Sequence, residues 1–393
     1  MSYLSVRVLG MRDGTGVRLA DPRRVGCGQT GTAWPVHAGS HRRCRLGGTL
    51  ALGSAAFCGQ RRRWRWLSLR RLSTGCRGSG PSGCKFEVAA VGAKGMGVLA
   101  TERICAGERI LEERHLFALP LAQCGWEDLW ANENSVVCRA ECDRQILSLL
   151  ESCSPEEQSR FWALEDTFVG RGGNEGCRAK SAVGILQTNA FETGSDVGLF
   201  LTMSRFNHSC NPNLHRSWQP QEGTMVMHTT RDVEVGTELC SSYIFPLYRT
   251  FAERQAELQS RWLFNCSCEA CAAASGRSDA MRKDLARRDF KLKVYTELAQ
   301  SASLSDSGAA SLEGEVLEAV AAMERGIQEE LGGNPAMLHH VFHNAFQIVR
   351  TSRRSGETAA RLLRLAYKAC TRATGPTSEQ SSVLKCRLDD LCK

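Results

Sequence analysis

The ten residues Ser204-Arg205-Phe206-Asn207-His208-Ser209-Cys210-Asn211-Pro212-Asn213 bring side-chain amides, an imidazole and a thiol close together. Asn and His side chains can hydrogen-bond the polar edge of a ligand, and Cys can bind a metal. Pro212 cannot continue a helix and biases Asn211 towards an extended or turn conformation. The segment therefore reads as a buried loop whose polar groups are aimed at something specific. Three other stretches could work with it. Upstream is Lys94-Gly95-Met96-Gly97-Val98-Leu99-Ala100; downstream come Val235-Gly236-Thr237-Glu238-Leu239-Cys240-Ser241-Ser242-Tyr243 and Phe264-Asn265-Cys266-Ser267-Cys268-Glu269-Ala270-Cys271. No Ser-His-Asp arrangement or carboxylate pair accompanies them.

In this order the four stretches resemble the SET-domain protein-lysine methyltransferases, and among those the SET-and-MYND (SMYD-like) branch. From Ser242-Tyr243-Ile244 through Arg254, Leu258, Trp262, Phe264 and the cysteine triplet the similarity is nearly continuous. It covers residues 86–271, and more loosely the tail beyond. The resemblance implies S-adenosylmethionine-dependent transfer of a methyl group to a lysine amine of a protein, histone or otherwise. Such an in-line displacement needs donor and amine held ~3 Å apart and aligned, with the amine uncharged.

The resemblance also assigns roles. Lys94, Gly95, Met96 and Gly97 would cradle the amino acid moiety of the donor, because glycine lets main chain approach closely. Asn207 and His208 would hydrogen-bond the cofactor by side chain and main chain, and Phe264 would stack on its adenine. Tyr243 would be the catalytic tyrosine, touching the cofactor as well. A phenol of ordinary pKa near 10 stays protonated, so it orients the amine rather than acting as a base. Cys210, Cys266, Cys268 and Cys271 would hold a structural Zn2+ that ties the post-SET segment to the Asn-His loop. Relatives often carry an acid two residues after this tyrosine. Phe245 stands there in this chain, which bears on substrate preference and the number of methyls added.

Each residue also has a bland reading: a hairpin turn for Lys94 to Gly97, a buried loop for Asn207 and His208, core aromatics for Tyr243 and Phe264. Two other function classes stay in view. One is a catalytically silent SET scaffold that binds a protein partner through its helical tail. The other is an NAD-dependent oxidoreductase, suggested by the glycines of Val88 to Gly97 and by Glu112, twenty residues after Gly92. Only nine residues separate Gly97 from Gly107, too few for the crossover helix that a dinucleotide fold needs.

The elements that must position these residues are predicted to form an α+β fold. It comprises a mostly-β SET domain with a helical insert, a zinc-bound post-SET segment and a helical, tetratricopeptide-like C-terminal domain. The expected boundaries are a basic arm at 1–84, the SET domain at 85–271 with its insert at 115–180 and post-SET segment at 262–271, and helices at 280–393. Strands are expected at Phe86 to Val91, Gly107 to Leu111, Gly184 to Phe191, Met225 to Thr229 and Glu238 to Tyr243. Leu116 to Phe168 reads as helical, with Ser154-Pro155-Glu156-Glu157 as a helix start, Arg171 to Gly176 as a loop, Ala272 to Ala280 as a linker and Gly332-Gly333-Asn334-Pro335 as a break between helices of the tail. The MYND finger is expected to be absent, since Cys124, Cys138, Cys142, Cys153 and Cys177 lack its spacing. His339, His340 and His343 read as packing or solvent-facing residues, because a zinc protease would need Glu at position 340.

The overall +8 charge is unevenly spread: fifteen arginines and Lys85 face only Asp13 and Asp21 before Phe86. This arm buries too little apolar surface to offset its ordering entropy. It reads as an unstructured tail or over-extended start, an organelle transit peptide, or a nucleic-acid or nuclear-import arm built on Arg61-Arg62-Arg63-Trp64-Arg65-Trp66. No apolar run approaches the eighteen residues a membrane span requires, so no membrane partner is expected. The 19 cysteines, scattered without a disulfide framework, fit a reducing compartment. Nucleus or cytoplasm is expected, with organelle import left open by the arm.

Overall fold

Glycines shape the first element after Lys85. Strand β1 (Phe86–Ala90) pairs antiparallel with β2 (Met96–Ala100), from Phe86 opposite Ala100 to Ala90 opposite Met96. The reversal needs left-handed backbone at Gly92 (φ +52°) and Gly95 (φ +77°), which glycine adopts without a Cβ penalty. The computed structural model describes residues 85–120, 136–169, 179–301, 306–351 and 356–391. The expectations for the basic arm, Cys124, Cys177 and the 171–176 loop fall outside those residues. A short 3₁₀ turn, Gly92–Lys94, sits where a dinucleotide fold would start its crossover helix, and the chain continues through β2 to β3 (Arg109–Arg114) with no helix between them.

Two further sheets of three antiparallel strands follow. β3 pairs with β8 (Thr224–Thr229), which pairs with β7 (Leu214–Gln219). β4 (Phe117–Pro120) and β5 (Ala190–Glu192) flank β6 (Asp196–Leu199). Phe86, Val98, Leu111, Phe206, Met227 and Leu239 belong to the cluster beneath the hairpin and first sheet. The site therefore rests on packed β structure.

Three expectations are corrected. Leu116 to Phe168 is not helical throughout: Phe117–Pro120 is a strand, and the described helices are α1 (Val136–Glu151) and α2 (Pro155–Trp162). Gly184 to Phe191 is mostly helix α3 (Ala182–Asn189), and only its end enters β5. An unbroken short apolar run does not distinguish a buried strand from a buried helix. The cap decides here, since Ser181 Oγ accepts from Gly184 N at 3.0 Å. A side chain at Gly184 would also collide with the Asp166 carboxylate, 2.3 Å from the Cβ position. Finally, Glu238 to Tyr243 forms no strand; isolated bridges join Leu99 to Glu238 and His208 to Ser241. The helix start at Ser154 stands as a full capping box, with Glu157 N bonded to Ser154 Oγ and Ser154 N to the Glu157 carboxylate.

Beyond the sheets come α4 (Phe251–Trp262) and the short α5 (Glu269–Ala272). The expected linker shrinks to 273–275, because Ser275 caps α6 (Gly276–Ser301) through Ser278 N. α7 (Asp306–Leu331), α8 (Pro335–Val349), α9 (Gly356–Thr374) and α10 (Glu379–Leu391) complete the chain. The break at Gly332-Gly333-Asn334-Pro335 is as predicted, with both glycines at positive φ and Asn334 capping α8. These helices share one apolar cluster, and Leu247 and Tyr248 enter it from the segment that follows Tyr243.

Where α9 meets β7 and β8, the contact contains histidine. His215 and His228 face each other across the ladder, and the His228 ring lies against Gly375, which ends α9. Burial pushes His215 down to about 3 and His228 to about 4, below the ordinary 6.5. His343 on α8 is also held to about 4 by burial. These groups are kept neutral when folded and protonate earlier when unfolded. Stability is therefore complete above pH ~6.5 and falls as the pH drops towards 4. Thermal melts across that range should show a falling midpoint, and His215→Asn should flatten the slope relative to wild type. Equal slopes would remove His215 from the account.

Candidate active site and cysteine cluster

The Asn-His loop is held by the segment it crosses. Ser241 N donates to Asn207 O at 3.0 Å and Ser209 N to Ser241 O at 2.9 Å, a parallel bridge that leaves the main-chain groups of His208 outside it. Asn213 clamps the same pair from below: its Nδ2 donates to Glu238 O at 2.9 Å and its Oδ1 accepts from Cys240 N at 2.8 Å.

His208 joins three parts of the site. Its Nδ1 accepts from Tyr243 N at 3.0 Å, so Nε2 carries the proton and points at Cys210 Sγ, 3.3 Å away. Burial lowers its pKa to about 4 and keeps that neutral tautomer. The ring is thus committed to the protein, and what His208 can offer a ligand is main chain. Tyr243 and Phe264 close around it, with ring centroids 5.3 and 6.2 Å from the imidazole, and Trp262 lies 5.2 Å from Tyr243. The Tyr243 hydroxyl donates to Phe206 O at 3.1 Å, leaving its lone pairs to accept. Burial raises its pKa, so it is neutral at every physiological pH. Phe264 reaches this position because Leu263 takes left-handed backbone (φ +60°), the sole positive φ outside glycine among the described residues, and turns the chain sharply after α4.

At the hairpin, Gly97 is buried against Asn207. A Cβ there would lie 2.6 Å from Val91 Cγ2 and 2.8 Å from Asn207 Nδ2, so only glycine admits the amide. Lys94 Nζ bonds Glu238 Oε2 at 2.6 Å, and Asn207 Nδ2 bonds Glu238 Oε1 at 2.9 Å. Met96 contributes its carbonyl, which accepts from Asn207 Nδ2 at 3.2 Å. In the sequence Glu238 is one residue of the Val235 to Tyr243 stretch, without a role of its own. Nothing local marks its side chain, because its partners lie 144 and 31 residues away.

Cys210, Cys266, Cys268 and Cys271 converge, with all four sulfurs within 4.8 Å of one another. Cys210 Sγ is 3.9 Å from Cys266 Sγ and 3.5 Å from Cys271 Sγ. Four sulfurs around zinc at ~2.3 Å would be ~3.8 Å apart. The surroundings favour thiolates. N–H groups of Cys210, Cys268 and Gln255 point at sulfurs of the cluster, as does Arg254 Nη2 at 3.8 Å. Arg254 is 1% exposed and has no carboxylate partner among the described residues, so the cysteine sulfurs are its counter-charge. It stands one and two turns before Leu258 and Trp262 on the face of α4 turned to the cluster. The donor set fits a closed zinc site. Cys142 and Cys153 are respectively buried on α1 and half-buried just after it, apart from this cluster. His339 and His340 are tied to Ala366 O and to Asp289, and His343 to Gln347, which is packing.

Residues 95–244, less than half of the chain, match the family model described as the SET domain. The similarity of the chain runs to the SET5 and SMYD lysine methyltransferases. It is 29% identical over 210 residues to histone-lysine N-methyltransferase set5 of Schizosaccharomyces pombe, covering 52% of this chain and 57% of that one. It is 38% identical over 90 residues to protein-lysine N-trimethyltransferase SMYD5 of Mus musculus, covering 22% of this chain and 21% of that one. The chain thus spans little more than half the length of the first relative. The solved structure of Rubisco LSMT bound to AdoMet is 13% identical with a TM-score of 0.29 over 77% of this chain and 92% of that one, too loose a likeness to support anything further. No helix among the described residues is long and apolar enough to cross a membrane.

Proposed function

We propose that this chain transfers a methyl group from S-adenosylmethionine to the side-chain amine of a lysine in a protein substrate, and that its cysteine cluster holds a structural Zn2+. The observation that carries the reading is the Tyr243 hydroxyl. It is neutral and donates to Phe206 O, on the residue next to Asn207, and so presents lone pairs beside the Asn207 amide at the hairpin. Bound S-adenosylmethionine supplies an electrophilic methyl on sulfur.

The residues of the chain do the remainder. Tyr243 accepts an N–H of the target amine, which aims the nitrogen lone pair at the methyl. Lys94, Gly95, Met96 and Gly97 form the cradle for the amino acid moiety, with Asn207 and main chain of His208. Phe264 offers a face for adenine. A protein lysine is the substrate class; histones and other proteins both fit, and nucleus or cytoplasm is the matching location. The helices from α6 onwards form the surface for a protein partner.

Calorimetric titration of zinc-replete protein with S-adenosylmethionine tests the reading. Saturable binding is expected for wild type, weakened about 10-fold or more by Asn207→Ala, which removes a hydrogen bond to a charged group. Wild-type protein that binds no S-adenosylmethionine would leave a silent scaffold as the better account.

A further inference from the structure

We infer that Glu238 is a positioning residue that sets Lys94 and Asn207 to read the two charges of an α-amino acid, one each. The inference rests on the reading above and adds a residue with no role assigned in it.

The hydrogen-bond inventory of this corner leads there. The Asn207 amide has two N–H donors and one oxygen. Nδ2 bonds both Glu238 Oε1 at 2.9 Å and Met96 O at 3.2 Å, so both of its hydrogens are used within the protein. The opposite amide orientation would set Oδ1 against a carboxylate and a carbonyl, so the partners fix the assignment. What remains is Oδ1, to which nothing among the described residues donates. Asn207 can therefore serve a ligand only as an acceptor, and a ligand ammonium is the matching donor.

Lys94 is the reverse case. One of its three N–H groups meets Glu238 Oε2 at 2.6 Å, which leaves two for an anion. Burial works against the charge of this ammonium, but the bond to Glu238 outweighs it and raises the pKa, so Lys94 is a cation at physiological pH. A carboxylate is its matching partner. One carboxylate, that of Glu238, thus grips both readers at once, acceptor to one and counter-charge to the other.

Glu238 is itself well anchored. Its carbonyl accepts from Asn213 Nδ2, it bridges to Leu99, and the next residue, Leu239, bonds Val98 O at 2.8 Å. A Cβ at Gly97 would fall 3.2 Å from Glu238 Oε1, so the bare glycine makes room for the carboxylate as well as the amide. The lock is rigid on the side of the protein and open on the side of the ligand. Zwitterion recognition follows from that asymmetry: an acceptor and a cation, 113 positions apart in sequence, are fixed by the same two oxygens.

The test separates the amino acid end of the ligand from its nucleoside end. Wild type, Glu238→Ala and Glu238→Gln are titrated with S-adenosylhomocysteine, which carries the α-amino acid, and with 5′-methylthioadenosine, which lacks it. Zinc content and melting temperature are measured on each. Glu238→Ala should weaken S-adenosylhomocysteine by about 10- to 100-fold, the range for hydrogen bonds to charged groups, and leave methylthioadenosine unchanged. Glu238→Gln keeps an acceptor for Asn207 and should lose less.

Equal weakening of both ligands, or no weakening of S-adenosylhomocysteine, would overturn the role of Glu238 while leaving the methyltransferase reading intact. Wild type that binds neither would overturn that reading and this inference with it.

Discussion

Tyr243→Phe should bind S-adenosylmethionine as wild type does and turn over ~10²-fold more slowly or worse, the usual cost of losing one preorganised hydrogen-bonding group at a reacting centre. The substitution leaves the ring. The contacts of that ring with His208, Trp262 and Phe264 persist, as does the bond from Tyr243 N to His208 Nδ1. Only the hydroxyl is lost, and with it the acceptor that would orient the amine in the proposed reaction. The loss should appear in kcat with little change in KM for the cofactor, because in the proposed reaction the hydroxyl would act in the transition state. Single-turnover measurement with a lysine peptide accepted by wild type is the check. A Phe variant at wild-type turnover would remove Tyr243 from the chemistry. The raised pKa of the phenol also predicts no ionisation of Tyr243 in the pH–rate profile below pH 10.

The second large effect is expected from metal removal. Chelation, or Cys268→Ser, should release one zinc per chain and abolish cofactor binding, with a lower melting temperature. Cys210 is three residues after Asn207 and accepts from the His208 ring, whereas Cys266 follows Phe264 by two residues. The cluster is therefore the tie between the loop that would hold the amino acid end and the aromatic that would face adenine. Opening it also strips Arg254 of its counter-charge. A buried guanidinium with no carboxylate partner and an unsatisfied Nε is costly once the sulfurs disperse. Structural zinc supplies folding free energy outright, on the order of 10 kcal/mol in small domains, so the post-SET segment should disorder locally even if the helices do not. Metal analysis with circular dichroism and titration before and after chelation reads all three consequences. Unchanged cofactor affinity in zinc-free protein would show that the cluster does not hold the pocket.

Several parts of this arrangement were legible before any coordinates. Ser154 with Glu157 announced a capping box, and Gly332-Gly333-Asn334-Pro335 announced a helix break, because both depend on neighbours within a few residues. The spacing of Cys266, Cys268 and Cys271 likewise declares a set of thiols that can meet. Other readings failed where local pattern was ambiguous. Gly184 to Asn189 is as apolar as a buried strand, and a serine cap with the carboxylate of Asp166 made it a helix. Phe117 to Pro120 reads as part of a helical stretch because the strand it pairs with begins at Asp196, far along the chain.

By itself, then, the sequence determined residue types, turn chemistry and the glycines that a close approach would need, since those depend on short-range sterics and capping. Tertiary structure decided which groups share a carboxylate, a proton or a metal. It set Lys94 and Asn207 on Glu238, turned the His208 ring to Cys210, and placed His215 and His228 against the end of α9. Such pairings follow from where the chain crosses itself, and hydrogen bonds reaching across more than a hundred residues leave no periodic trace along it.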